Sequence, residues 1–471
     1  MIAANARSKW PSLMLRDVGK LHCGQSPPSK DLNTSSEGTV YITGPEHWDG
    51  YTIQVNKWTT NPKRLVPDGC VFITVKGSGV GKIFPGISGA IGRDIYAFEP
   101  DESHSAKYIE YALKFTIQDI LRKAVGDIPG ISKNHILDHE VMMPPREVQD
   151  AIVAEIETQF SRLDEAIANL KRVKANLKRY KAAVLKAAVE GRLVETEADL
   201  ARAEGRSYET GAQLLERMLE ARRSQWKGKG RYKEPVAPDI ARLPELPEGW
   251  VWASPSQLSA GEPYSLAIGP FGSNLKVNDY AAAGVPLVFV RNIRTASFGG
   301  ADTVFVTPEK AKELRAHQVT VGDLLVTKMG DPPGDVCMYP SDRPDAVITA
   351  DCIKLRLTAT RIDSTFVVYA IESQPVRRQV HAITKGVAQL KVSLARFRSI
   401  GVPLPPLAEQ QRIVARVDRL LSLAAEAENQ ADANHRRAER LRQSMLRQAF
   451  SDRLGLVDCR LHLNPIASDG R

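Results

Sequence analysis

The chain has 471 residues, 43% hydrophobic and 25% charged, which suits two to four folded domains with ample core and excludes a disordered chain. Five cysteines (Cys23, Cys70, Cys337, Cys352, Cys459) without a CxxC pair exclude a disulfide framework and a cysteine zinc site, and no apolar run approaches the roughly 18 residues of a membrane span. A formal net charge of +9 and a pI near 9.2 admit a polyanionic partner; the first residues, MIAANARSKWPSL, lack the apolar stretch of a secretory signal, so a cytoplasmic protein is expected.

From Trp10 onward the chain reads as a globular segment with short strands: TVYITG (39–44), PDGCVFITVKGSGVGKI (67–83), which is strand then glycine-rich turn, and SGAIGRDIYAFEP (88–100). The apolar stretch YIEYALK (108–114) predicts a helix, and Gly126 precedes a proline pair in VMMPPREVQDAIVA (141–154). A long helix follows. Ile156, Leu163, Leu170, Leu177 and Val184 recur every seven residues, and Ala166, Val173 and Tyr180, three residues after three of them, complete the expected a/d seam. Residues 171–181 carry Lys171, Arg172, Lys174, Lys178, Arg179 and Lys181 with no acid, and Gly191 is the expected helix stop. Between 195 and 245 the pattern predicts one short amphipathic helix around Leu214–Trp226 and then a basic, proline-containing linker.

The second half repeats this order: PLVFVRNI (286–293), TVGDLLVTKMGDPPGDV (320–336), DAVITADCIKLRL (345–357), FVVYAIE (366–372), Gly386, then VPLPPLAEQQRIVA (402–415). Seven of the fourteen positions in the two proline-to-helix segments are identical at an offset of 261 residues: Val141, Pro144, Pro145, Gln149, Ile152, Val153 and Ala154. The same offset carries Ser132 to Ser393, Arg179 to Arg440 and Leu185 to Leu446, so the chain is a duplication. The second helix places Val417, Ala424, Ala431, Ala438 and Met445 on the matching seam, with Leu420, Ala427 and Leu441 beside it, and is expected to end in Asp452–Gly455. Run antiparallel, the helices pair Ile156 with Met445, Leu163 with Ala438, Leu170 with Ala431, Leu177 with Ala424 and Val184 with Val417, large residues into small, in a rod on the order of 55 Å long. The alternative is two independent amphipathic helices, each on its own domain. The fold class expected is mixed α+β, with two globular α/β segments separated by two long helices packed as an antiparallel coiled coil in a pseudo-two-fold repeat.

Catalytic motifs fail on spacing. KGSGVGKI (76–83) has three residues between Gly77 and Gly81 where a phosphate loop needs four, and Ile83 replaces its hydroxyl. FPGISG (84–89) misses the dinucleotide spacing, and in Asp331-Pro332-Pro333-Gly334 a glycine stands where a base-stacking aromatic would be needed, so both read as turns. No [DE]-x-K triplet of the common metal-dependent nuclease occurs. His135 and His139 have helical ligand spacing but no obvious third ligand, and read as surface histidines with no metal.

PLPPLAEQQRIVARVDRLL (403–421), MPPREVQDAIVAEIETQF (143–160), KAAVLKAAVEGRLV (181–194), RQSMLRQAFSDRL (442–454) and YETGAQLLERMLEARRSQWKGKGRYKEP (208–235) resemble the conserved regions of type I restriction–modification specificity subunits. The first copy departs from the pattern, with Arg146-Glu147-Val148-Gln149 where the second has Leu407-Ala408-Glu409-Gln410. The resemblance implies a non-catalytic subunit in which target-recognition domains at 1–125 and 246–385 each read half of a bipartite DNA sequence. Conserved regions at 126–194 and 386–455 hold the long helices, 195–245 is a helix with its basic linker, and 456–471 is a tail. The partners implied are double-stranded DNA and two methyltransferase subunits, which restriction subunits can join. No cofactor is expected in this chain, S-adenosylmethionine belonging to the methyltransferase. The competing expectation is a coiled-coil adaptor without sequence-specific DNA binding. Candidate DNA contacts are Lys63, Arg64, Lys76, Ser78 and Lys82 in the first segment, and Lys276, Arg291, Asn292, Arg294, Lys328 and Asp331 in the second.

Overall fold

A computed structural model describes residues 10–77, 79–124, 130–227, 230–294, 297–300, 304–358, 361–386 and 390–451. The chain forms two compact units, Met1–Arg172 with Ala431–Arg471, and Val173–Gln430.

In the first unit, strand Val71–Thr74 is buried along its whole length and has neighbours on both sides. The sheet order is Gly19–Cys23, Ile95–Pro100, Val71–Thr74, Ile83–Pro85, all antiparallel. Successive side chains of a strand point to opposite faces, and here both faces are apolar. Val71 and Ile73 join a core with the helix Ala106–Lys123, while Phe72 and Phe84 join a second core with Ile42, Val66 and Ile91. That second core lies against a five-stranded sheet whose strands Thr39–Ile42 and Gly89–Ile91 run parallel. Ser105 caps the helix by accepting from the Tyr108 backbone N–H.

The second unit repeats the topology. Strands Leu266–Ile268, Cys352–Leu355, Leu324–Thr327 and Val336–Met338 form the first sheet, and Phe305–Val306, Val285–Val288, Ala346–Ile348 and Gln318–Val319 the second, again with one parallel pair, Val285–Val288 with Ala346–Ile348. Leu324 and Val326 face the helix-side core, and Leu325 and Cys337 face the other. The helix on this sheet is divided into Ser364–Glu372 and Gln374–Ala382. Pro375 lacks the N–H that would continue the first helix, and it sits in the first turn of the second.

Each unit closes on a long helix, Arg146–Val189 or Leu407–Ser451, entered through a two-strand ladder: Ser12–Met14 with Glu140–Met142, and Val251–Ala253 with Val402–Leu404. The repeated glutamines explain themselves here. Gln149, 1% exposed, accepts from the Ser105 backbone N–H at 2.8 Å and donates to the Pro144 carbonyl at 2.8 Å. Gln410, fully buried, accepts from Asp363 N–H at 2.9 Å and donates to Pro405 O at 2.9 Å. One amide thus joins the proline turn, the long helix and the start of the domain helix.

Within each unit the two long helices run antiparallel. In the first, Ile152 and Ile156 share a core with Leu446 and Phe450, and further along Asp164 pairs with Arg442, which also stacks 4.8 Å from the Phe160 ring. In the second, Lys181 meets Glu428 at 2.5 Å, and Val184 and Ala188 share a core with Ile413 and Val417. Val417, Ala424, Ala431 and Ala438 are all buried, as are Ile156 and Val184, whereas Leu163, Leu170, Leu177 and Met445 are half-buried.

The flank of the seam differs from expectation. Ala166, Val173 and Tyr180 are exposed, and so are Ala427 and Leu441, while Leu420 is half-buried. The covered flank lies four residues after each seam position, at Phe160, Ile167, Lys174, Lys181 and Ala188 on the first helix, and at Leu421, Glu428, His435 and Arg442 on the second. Both +3 and +4 neighbours share a helix face; opposite charges across the helices select +4. The first helix stops as expected, with Gly191 at φ 64° and the Arg192 N–H bonded to Ala187 O. The expected second stop, Asp452–Gly455, lies outside the described residues, as does Gly126. The amphipathic helix spans Gly211–Ser224, ending before Trp226, and an unpredicted helix, Glu197–Glu204, precedes it, capped by Thr196 and closed by Gly205 at φ 65°.

The register that places Leu170 opposite Ala431 is testable by a double-mutant cycle. Leu170→Ala should cost about 2 kcal/mol, the low end for leucine truncation because the side chain is half-buried. Ala431→Leu should cost about 1–3 kcal/mol by overpacking. Together they exchange large for small and should recover much of the loss in thermal unfolding; simple additivity of the two would exclude this pairing.

Candidate nucleic-acid interface

In the first unit the strand Val71–Thr74 leads into a tight glycine turn. Gly81 N–H bonds Thr74 O at 2.8 Å and Lys82 N–H bonds Gly79 O at 3.0 Å. Gly81 has φ 83°, where a residue with a side chain would be strained, and a Cβ there would crowd Leu121 Cδ1 at 3.0 Å, so glycine suits the close approach of the turn to the domain helix. Lys76 and Lys82 flank it, both exposed; Ser78 lies outside the described residues. Lys63 and Arg64 are exposed just before strand Leu65–Val66. The Lys63 ammonium donates to Asn61 Oδ1 at 3.1 Å and Arg64 Nε donates to the Cys23 carbonyl at 3.2 Å, which ties the guanidinium to the neighbouring strand end.

The corresponding turn of the second unit, 328–335, is held by Thr327, whose hydroxyl accepts from the Gly334 and Asp335 N–H groups at 2.9 Å. Asp331 is exposed, next to a cis bond to Pro332. Lys328 is half-buried and donates to Ala350 O at 3.0 Å, so its ammonium is engaged within the domain. A strap crosses this turn: Gly330 N–H bonds Leu390 O at 3.3 Å, and Val392 N–H bonds Lys328 O at 2.9 Å. It carries Lys385 and Lys391, both exposed and paired through their backbones, to the turn. Sequence reasoning missed these two lysines. The first unit has the equivalent hook, Ile131 N–H to Val75 O at 3.0 Å.

A second group surrounds Phe289. The Arg291 guanidinium lies over its ring at 4.1 Å, Tyr280 meets the ring edge-on at 6.4 Å, and Leu275 packs into the same core. A cation over an aromatic face is attracted by the ring quadrupole, which favours this position of the Arg291 side chain. Arg291, Arg294 and Lys276 are exposed; Arg294 donates to the Val290 and Ile293 carbonyls at 3.3 and 3.1 Å. Phe271, 68% exposed, and Val277, 75% exposed, stand on the same loop and were also missed. Asn292 is a correction. It is 3% exposed, accepting from Phe289 N–H at 2.9 Å and donating to Gly299 O at 3.0 Å, so its amide holds a loop and presents nothing to a base edge.

Burial pushes the thiols of Cys70, Cys337 and Cys352 up to about 12, so none of the three is a thiolate nucleophile at neutral pH. One of the two histidines differs from expectation. His135 closes a capping box with Ser132, and His139 is buried rather than on the surface, its Nε2 2.7 Å from the Thr116 hydroxyl; burial lowers its pKa. Among the described residues no group of three or more potential ligands could hold a metal, and no helix is long and apolar enough to cross a membrane.

The family model of the type I restriction modification DNA specificity domain matches residues 7–179 and 322–433. The EcoDI specificity subunit of Escherichia coli is 24% identical over 463 residues, 96% of this chain and 90% of that subunit. The EcoKI specificity subunit of E. coli K12 is 26% identical over 215 residues, and the match spans 44% of its length. A chain from a solved type I R-M system shares the fold, with a TM-score of 0.64 at 15% identity, covering 95% of this chain and 99% of that one. The chain belongs to the type I restriction–modification DNA specificity domain family.

Proposed function

We propose that this chain is the DNA sequence-specificity subunit of a type I restriction–modification complex, in which each globular domain reads one half of a bipartite duplex target. The observation that carries the reading is the duplicated sheet order, bearing different exposed side chains at equivalent turns: Lys76 and Lys82 in one unit, Lys385 and Lys391 beside the turn in the other. Family membership supports it over a coiled-coil adaptor without DNA specificity. The paired helices set the spacing of the half-sites and dock methyltransferase subunits, to which restriction subunits can add. Methyl transfer to adenine, with S-adenosylmethionine, takes place in those partners, and this chain contributes recognition.

Lys63, Arg64, Lys76, Lys82, Lys276 and Arg294 hold phosphates in this reading, and Arg291 meets a base edge. Replacing residues 250–385 with the matching segment of a related specificity subunit should change one half of the methylated target and preserve the other. Methylation mapping of the chimera reads this directly, and a change in both halves or in neither contradicts the two-domain reading.

The charged groups divide in a salt series. Lys76→Ala with Lys82→Ala should weaken binding equally for all sequences and reduce the slope of log K against log salt by about 1.8, two released counterions at roughly 0.9 each. Arg291→Ala should relax preference at particular bases, at about 1–3 kcal/mol. An unchanged slope in the lysine double variant would remove that turn from the interface.

A further inference from the structure

In the second unit the last turns of the helix Arg146–Val189 and the helix Gln374–Ala382 form the walls of an open cleft of about 620 Å³. Arg179 and Lys186 line it from the first wall, Arg378 and His381 from the second, and Ala182 and Ala183 leave room between them. Pro332, in the turn next to Asp331, lines it too, so the cleft opens beside the 328–335 turn. Lys186 and Arg378 also line a second cleft of about 810 Å³ that continues the first toward Arg242 and Arg396.

The charge along this track is unbalanced. Among the described residues neither Arg179 nor Arg378 meets a carboxylate, and both are exposed. Glu372, the acid of the first cleft, is engaged by the Val336 N–H at 3.0 Å and Arg377 at 3.2 Å; burial pushes its carboxyl up to about 7. Arg377 is paired with Asp335 as well, and is already neutralised. The second cleft holds two acids, Glu190, 3.8 Å from Lys186 in a long and half-exposed contact, and Asp239, which accepts from the Ala241 N–H at 3.1 Å, against Lys186, Arg242, Arg378 and Arg396.

Spacing selects the ligand. Arg179 and Lys186 are seven residues apart, about 10.5 Å along one helix face at 1.5 Å per residue. A duplex strand presents one phosphate per roughly 3.4 Å of axis, so these two cations span about three phosphates. A small anion would need them to converge. We propose that this cleft is a phosphate-backbone track for duplex DNA, separate from the base-reading turns, by which the second unit holds the strand running past its half-site. The inference rests on the DNA-reading function proposed above. It gives a role to Arg179, a member of the basic 171–181 run outside the helix seam, whereas Lys181 of the same run pairs with Glu428.

The test uses the full chain assembled with its methyltransferase subunits, on a duplex carrying the mapped target and on one with both half-sites scrambled. Arg179→Ala with Arg378→Ala should reduce the salt slope by about 1.8 on both duplexes and leave the ratio of their affinities unchanged. Arg179→Lys with Arg378→Lys should restore the slope, because a phosphate track takes a point charge in place of a fork. Unchanged slope and affinity in the alanine variant would overturn the proposal. So would loss of co-purification with the methyltransferase at an unchanged slope, which would assign the cleft to an acidic protein segment. If the wild-type complex shows no preference between the duplexes, the sequence-specificity reading fails, and the slope comparison still decides the track.

Discussion

The tie made by Gln149, and again by Gln410, is the interaction on which the architecture of each unit depends. A helix begins with N–H groups that have no partner inside it, and at the start of each domain helix one such group is met by a glutamine that is itself buried. The glutamine Oε1 takes the N–H at that helix's cap residue, while its Nε2 satisfies the carbonyl of the first proline of the turn. Removing such a buried amide leaves a donor and an acceptor unpaired together, at about 1–3 kcal/mol each. A shorter or apolar side chain would therefore loosen the long helix from the domain that it carries.

With the helices anchored at their starts, alanine governs how closely they meet. Ala424, Ala431 and Ala438 are buried because they admit the larger residues of the facing helix. The polar flank then fixes register. Lys181 with Glu428, and Asp164 with Arg442, can each pair in only one alignment. A part-buried pair contributes modestly to stability, but a slip of one turn would set these charges against unpaired surroundings. Apolar packing gives the seam its strength and the charges give it one alignment.

The repeat, the strand and helix types, the strand-to-turn segments and the seven-residue seam were legible in the sequence because each is a local or periodic pattern. The flank was not, since Lys181, Glu428 and Arg442 count as seam positions only beside a partner of opposite charge. The helix Glu197–Glu204 is too short to show a period, although Thr196 and Asp199 form a cap visible in the sequence. Asn292 has the same chemistry whether it reads a base or closes a loop, and burial decides between them. Lys385 and Lys391 reach the candidate interface through bonds to Lys328 and Gly330, more than fifty residues away, which no local pattern records.

The departure at the start of the first helix follows from what surrounds each copy. Val148 packs in an apolar core. Its equivalent, Glu409, is fully buried and accepts from the Trp250 indole N–H at 3.0 Å and the Glu197 N–H at 2.9 Å. Both donors belong to residues that flank or lie within the segment between the two copies. Glu197 is itself held by Arg412 at 2.6 Å and Arg206 at 2.7 Å, so that segment is built into the second unit rather than strung beside it. Valine at 409 would leave two buried donors unpaired, and glutamate at 148 would place a charge among Ile152, Val141 and Leu113. The copies diverged there because their neighbours differ, whereas the glutamine one position later could not change in either. The exposed side chains of the turns, Lys76 and Lys82 in one unit and Asp331 in the other, meet no such constraint, and there the two copies are free to differ.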